Sequence, residues 1–166
     1  MARELVKVLE RQTKAMFYTM EITLCTCDLS ADLCQAPVWR YIYHTLHSCD
    51  RWYINPTEFT QPKIHTEGLD NVEIISNTML SKAQLFIYLA HVRNKVFTYL
   101  ESLTDDMLAK KPQSCDLCRL ELITGQIRHF VCHIGIINGS TIVRENKYPR
   151  VVGLYCKTPP KDALYE

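Results

Sequence analysis

Between Ser81 and Leu103 the chain reads SKAQLFIYLAHVRNKVFTYLESL, and Leu85, Tyr88, Leu89, Val92, Val96, Tyr99, Leu100 and Leu103 recur at helical spacing. A stripe of that length has to be covered, and in a chain with only five glycines the covering elements are not the tight turns and short strands of a β architecture. They are helices. A first is expected from about Arg3 to Glu21, with Leu5, Val8, Leu9, Thr13, Met16 and Phe17 on one stripe. A second opens at Pro37, a residue tolerated in a first helical turn, and runs through PVWRYIYHTLHSCDRWYINP until Asn55-Pro56 stops it. Ser81 is the expected N-cap of the third, and Ser114 or Asp116 that of a fourth, which continues to about Val143. The reading is all-α: a single domain over residues 1–166, with a four-helix core in 1–143 and an extended, proline-containing tail in 144–166. The irregular stretch from Thr57 to Asn77, between the second and third helices, is long enough to act as a lid.

The fourth helix poses the main question, because QIRHFVCHIGIING carries His129 and His133 one turn apart within an apolar run. On a helical projection Leu120, Ile123, Ile127, Val131 and Ile134 share a stripe and the two histidines fall opposite it, beside Leu122, Gly125, Cys132 and Ile136. A helix apolar on nearly all sides needs two partners, its own bundle and either a pocket wall or a second subunit, so a homodimer is expected. Two imidazoles at i and i+4 can reach one metal ion. They can equally be core histidines held by backbone or water. The zinc-protease form of the motif needs Glu after the first His, where this chain has Phe130. A catalytic zinc site takes three protein ligands and leaves one position open, and His44 and His47 on the second helix are the candidates for the third. His65 and His91 are read as surface residues.

Charge and cysteines narrow the function classes. A formal net charge of +1 with no basic run offers no footprint for nucleic acid, and the charged N-terminal stretch is neither a secretory nor a membrane segment. A soluble, cytoplasmic protein with reduced thiols is expected. Of the eight cysteines, Cys25 and Cys27 with Cys115 and Cys118 form two pairs that could supply a four-thiolate zinc site, although the first pair is too closely spaced. A thioredoxin-like role for Cys115 and Cys118 lacks the preceding strand it would need. Asp50 is placed at best behind the metal ligands, and Arg40, Arg51 and Arg128 are positioned to meet a carboxylate.

Taken together, Pro37 with His44 seven positions later, His129 with His133, and the text of the third helix resemble the DinB-like (YfiT-like) family of four-helix bundles, over most of residues 1–143. The resemblance implies a metal site formed by His44, His129 and His133, holding zinc, nickel or a similar divalent ion, with His47 a pocket residue or alternative ligand. It implies an enzyme acting on a small-molecule electrophile, either a thiol-dependent S-transferase of the bacillithiol or mycothiol type or a related hydrolase, with a low-molecular-weight thiol as cosubstrate. The alternative it leaves is a non-catalytic metal-binding or stress-response protein of the same fold.

Overall fold

A computed structural model describes residues 2–34, 36–76, 78–158, 160 and 162–166. Among these described residues four long helices make up the body: α1 (Glu4–Thr26), α2 (Val38–Trp52), α3 (Lys82–Ser102) and α4 (Arg119–Glu145). A two-residue antiparallel pair, β1 (Asp32–Leu33) and β2 (Ala36–Pro37), precedes α2, and short 3-10 turns at Pro56–Glu58 and Asp105–Met107 follow α2 and α3. The fold is therefore mostly helical, and no helix among the described residues is long and apolar enough to cross a membrane.

The helix directions follow from the bonds between them. Thr23 of α1 donates to Asn138 of α4, and the Phe17 ring meets Phe130 lower down, so α1 and α4 run in parallel. The Arg3 side chain at the start of α1 donates to the carbonyls of Leu100 and Leu103 at the end of α3, while Arg93 reaches Glu21, so α3 runs against α1. His44 meets His129 and Ser48 meets Gln126, so α2 runs against α4. The order is up, down, down, up, with α1 and α2 each packed against both α3 and α4. The long link from α2 to α3 is needed because two parallel helices cannot be joined by a short turn.

Local chemistry sets the helix ends. Ser81 and Gln84 form a reciprocal capping box at α3. The start of α1 borrows its cap from elsewhere: the Asp105 carboxylate accepts from the Val6 N–H at 3.0 Å. Pro37 sits just before the first helical residue of α2. The cap of α4 is Cys118, with Glu121 accepting from its backbone N–H at 2.7 Å, in place of the expected Ser114 or Asp116. At the far end Asn146 adopts the left-handed conformation at φ 52° and closes the helix.

Burial corrects two of the expected stripes. In α1, Val6 rather than Leu5 or Val8 is buried, and the helix continues past Glu21 to Thr26 because Thr19, Ile22, Thr23 and Leu24 still face the bundle. In α4 the buried line is Leu122, Ile123, Phe130, Ile134 and Ile137, whereas Leu120 and Val131 are exposed. Phe130 is central, edge-on to Phe17 with ring centroids 5.5 Å apart. Its position turns His129 and His133 to the α2 side of the core rather than to the opposite face. The tail folds back: Val152 N–H donates to Thr19 on α1, and Pro149 pairs with Tyr165.

Candidate metal centre

Helix α2 is the most buried of the four, and this follows from its composition: Val38, Trp39, Ile42, Tyr43, Leu46 and Cys49 fill the core on one side. Four of its polar residues, Arg40, Thr45, His47 and Asp50, are buried too, with His44 and Ser48 half-buried and Arg51 exposed. Arg40 is 3% exposed and donates to the carbonyls of Gly68 and Asn71 at 2.8 and 2.7 Å. It clamps the link between α2 and α3 and is not free to meet a ligand's carboxylate. With Gly68 held at φ 74°, a conformation that favours glycine, the link turns back along α2. Asp70 is thereby carried over His44, whose Nδ1 donates to the Asp70 carbonyl at 2.6 Å.

That bond fixes the His44 tautomer. With its proton on Nδ1, His44 points the lone pair of Nε2 outward from α2. There it meets His129 Nε2 at 3.3 Å, and His129 Nε2 meets His133 Nε2 at 3.1 Å. Among the described residues, His44, His129 and His133 form a group whose ligand atoms all lie within 4.8 Å of one another, all three half-buried. The donor set suits a cation better than it suits itself. Each neutral imidazole has one ring proton, and His44 has spent its own on Asp70. If His129 donates to His44, nothing is left to bond His133, and if His133 donates to His129, His44 and His129 meet lone pair to lone pair. A metal ion satisfies all three. A zinc ion with Zn–N bonds of about 2.0–2.1 Å could be held by nitrogens spaced like the His44–His129 and His129–His133 pairs, at 3.3 and 3.1 Å.

Electrostatics favour the same state. Burial, and then the His44 ring, hold His129 below the usual imidazole range. Burial, followed by the His129 and His44 rings, pushes His133 down to about 4. Both remain neutral, as metal ligands must be, at a pH where an exposed histidine begins to charge. Among the described residues the Nδ1 atoms of His129 and His133 are buried and have no partner, so of the three candidate ligands only His44 is seen to be oriented by a second bond.

A second histidine cluster lies alongside. His47 is 2% exposed, with Nε2 donating to Gln61 Oε1 at 2.7 Å and its ring stacked on His65, 4.9 Å between centroids. His65 shares a hydrogen bond with the Tyr43 hydroxyl at 2.8 Å and is not the surface residue expected. The Asp70 carboxylate lies 3.8 Å from His47 Nδ1 and 4.0 Å from His65 Nε2. His47 is thus committed to this cluster and is not one of the three converging ligands. His91 is exposed, as expected.

Asp50 is not behind the metal ligands. It is 4% exposed, paired with Lys95 at 2.5 Å and bonded by the Tyr88 hydroxyl at 2.9 Å, at the edge of a cavity of about 800 Å³ on the α3 side of α2. Arg51 and Arg128 are exposed, and Arg51 lies over the neighbouring Trp52 ring. The four-thiolate zinc site is excluded by topology. Cys25 and Cys27 lie at the end of α1 and Cys118 at the start of α4, and with these helices parallel the pairs sit at opposite ends of a bundle about 35 Å long. All eight cysteines are free thiols.

The residue that the sequence did not reveal is Asp70. It contributes a backbone carbonyl, which no residue type advertises, and its position depends on Arg40 and on the turn at Gly68. No family model matches this chain, and neither does any curated protein or solved structure.

Proposed function

We propose that this chain is a divalent-metal-dependent enzyme of the DinB-like (YfiT-like) kind, carrying zinc or nickel on His44, His129 and His133. Its reaction is either thiol-dependent transfer to a small electrophile or hydrolysis of one. The observation that carries the reading is the convergence of three imidazole Nε2 atoms from α2 and α4, one of them oriented by the Asp70 carbonyl. An ion bound by three neutral imidazoles keeps its full charge and acidifies a water or thiol placed in its remaining position. The chain supplies the rest. Asp70 and Arg40 hold His44 in the liganding tautomer, burial keeps His129 and His133 unprotonated, and the Tyr41 ring, 6.2 Å from that of His133, walls one side. Arg128, exposed one residue before His129, is the guanidinium we propose for a carboxylate of a thiol cosubstrate. The exposed Leu120, Ile136 and Val143 of α4 fit the homodimer reading.

A direct test incubates the metal-loaded protein with 1-chloro-2,4-dinitrobenzene and bacillithiol, mycothiol or cysteine. Conjugation that needs both metal and thiol, and that His129→Ala abolishes, supports the reading. Stoichiometric metal without conversion of this or a hydrolysable ester substrate supports the non-catalytic, metal-binding alternative. One observation favours that alternative: Asp50, the carboxylate nearest the ligands on α2, is sequestered by Lys95 and Tyr88.

A further inference from the structure

A second set of metal-ligating side chains lies beside the three converging histidines and is not used by them. On α2, Tyr43 and His47 stand one turn apart, and the link that follows brings Gln61, His65 and Asp70 against them. His47 donates from Nε2 to Gln61 Oε1 at 2.7 Å, so its lone pair is on Nδ1. That lone pair faces the Asp70 carboxylate, 3.8 Å away. His65 uses Nδ1 on the Tyr43 hydroxyl at 2.8 Å, and its Nε2 faces the other oxygen of the same carboxylate at 4.0 Å.

Two imidazoles are thus held at their far nitrogens and turn their near ones to one carboxylate, the arrangement by which proteins orient histidine ligands around a metal. The near atoms bond to nothing else. Among the described residues His47 Nδ1, His65 Nε2 and both Asp70 carboxylate oxygens have no hydrogen-bond partner, and none is sealed from solvent as the Nδ1 atoms of His129 and His133 are. Burial holds His47 below the usual imidazole range, so it faces the carboxylate as a neutral base, lone pair to negative charge. Separations of 3.8 and 4.0 Å are too long for hydrogen bonds, yet shorter than the about 4.2 Å that a nitrogen and an oxygen bound to one zinc ion can span. A cation between them satisfies all three groups.

We propose that His47 Nδ1, His65 Nε2 and the Asp70 carboxylate form a second divalent-metal site, separate from His44, His129 and His133. Two imidazoles and one carboxylate suit zinc, cobalt or iron(II), and they are too poor in oxygen for calcium or magnesium. Its affinity is lower than that of the first site, because His65 and Asp70 belong to the link and must draw in to reach bonding distance. The ion therefore enters only when metal is supplied in excess. Asp70 joins the two sites, its carbonyl orienting His44 and its carboxylate taking the second ion. The second site requires nothing of the first and can fill when that one is destroyed.

The test titrates cobalt(II) into the full, reduced chain, because its visible spectrum separates imidazole and carboxylate ligation from binding to the free thiols. Two steps are expected, the weaker without a sulfur-to-metal charge-transfer band. The His129→Ala/His133→Ala double variant should keep the weaker step alone. Asp70→Ala retains the main-chain carbonyl that holds His44, and should keep the stronger step and lose the weaker. His65→Phe, whose ring preserves the stack on His47, should do the same. If the first site takes no metal, the wild type shows only the step that these two substitutions remove, so the two sites fail independently. Absence of any step that both substitutions remove, or a thiolate band on that step, would overturn the proposal.

Discussion

Arg40 shows how a residue's role can depend on where the chain returns. By position on α2 it stands one turn from His44, which invites a ligand-binding role, yet its guanidinium is buried and spent on the carbonyls of Gly68 and Asn71. The consequence reaches the candidate metal site, because the segment it clamps carries the carbonyl that orients His44. Arg40→Met should therefore leave the three histidines in place but weaken zinc binding about tenfold, the lower end of what loss of an outer-shell partner costs. Competition with a chromophoric chelator measures it, and unchanged affinity in a folded variant would detach the clamp from the site. Cys132, exposed beside His133, is not in the converging group, so Cys132→Ala should retain full metal content. His129 and His133 were legible in the sequence because imidazoles at i and i+4 have a readable geometry, whereas spacing left His44 and His47 both open as the third candidate and only the resemblance chose His44. Asp70 was not legible, since its contribution is a main-chain oxygen, and His65 was misjudged because only the return of the chain to Tyr43 buries it.

At the scale of elements, Phe130 decides which way α4 faces. Its ring fills the space beside Phe17, and the 100° step per residue then turns His129, and His133 one turn on, towards α2. Phe130→Ala should cost about 3–5 kcal/mol in guanidinium unfolding, since the ring is fully buried and leaves a large void. A loss under 1 kcal/mol would mean that another contact sets the helix register. Periodicity revealed all four helices but mistook the stripes of α1 and α4, because both helices carry apolar residues on more than one side and only packing selects among them. The α4 cap was missed for a related reason. Serine and aspartate are the stronger capping residues, but Ser114 is held at φ 56° in the preceding turn and the helix begins only after Cys118.

For the whole molecule, the buried histidines make stability depend on pH in a fixed direction. Their folded values lie below the ordinary 6.5, that of His133 at about 4, so in acid the unfolded chain takes up protons that the folded chain resists. The metal-free protein should lose stability as the pH falls from about 6.5 towards 4, with the histidines' share of that loss complete below about 4. In His133→Phe the slope should be shallower. Thermal melts across this range measure both, and an identical slope in the variant would contradict the assignment. Bound metal should raise the melting temperature at pH 7, and a chelator should reverse the gain. The up, down, down, up arrangement was not readable from helix lengths or loop spacing, because a long connection permits either direction for α3; the contacts of Arg3, Glu21 and Asp105 settle it.

Three imidazoles from two helices holding one metal ion would give the protein a defined metal content. Elemental analysis of the untagged protein, with His44→Ala, His129→Ala and His133→Ala beside it, tests this most directly. Near one zinc or nickel per chain, lost in each variant while the helical circular dichroism is retained, is the predicted result. A wild-type protein that takes up no metal after incubation with zinc, nickel or manganese would contradict the claim and make these histidines part of the packing between α2 and α4.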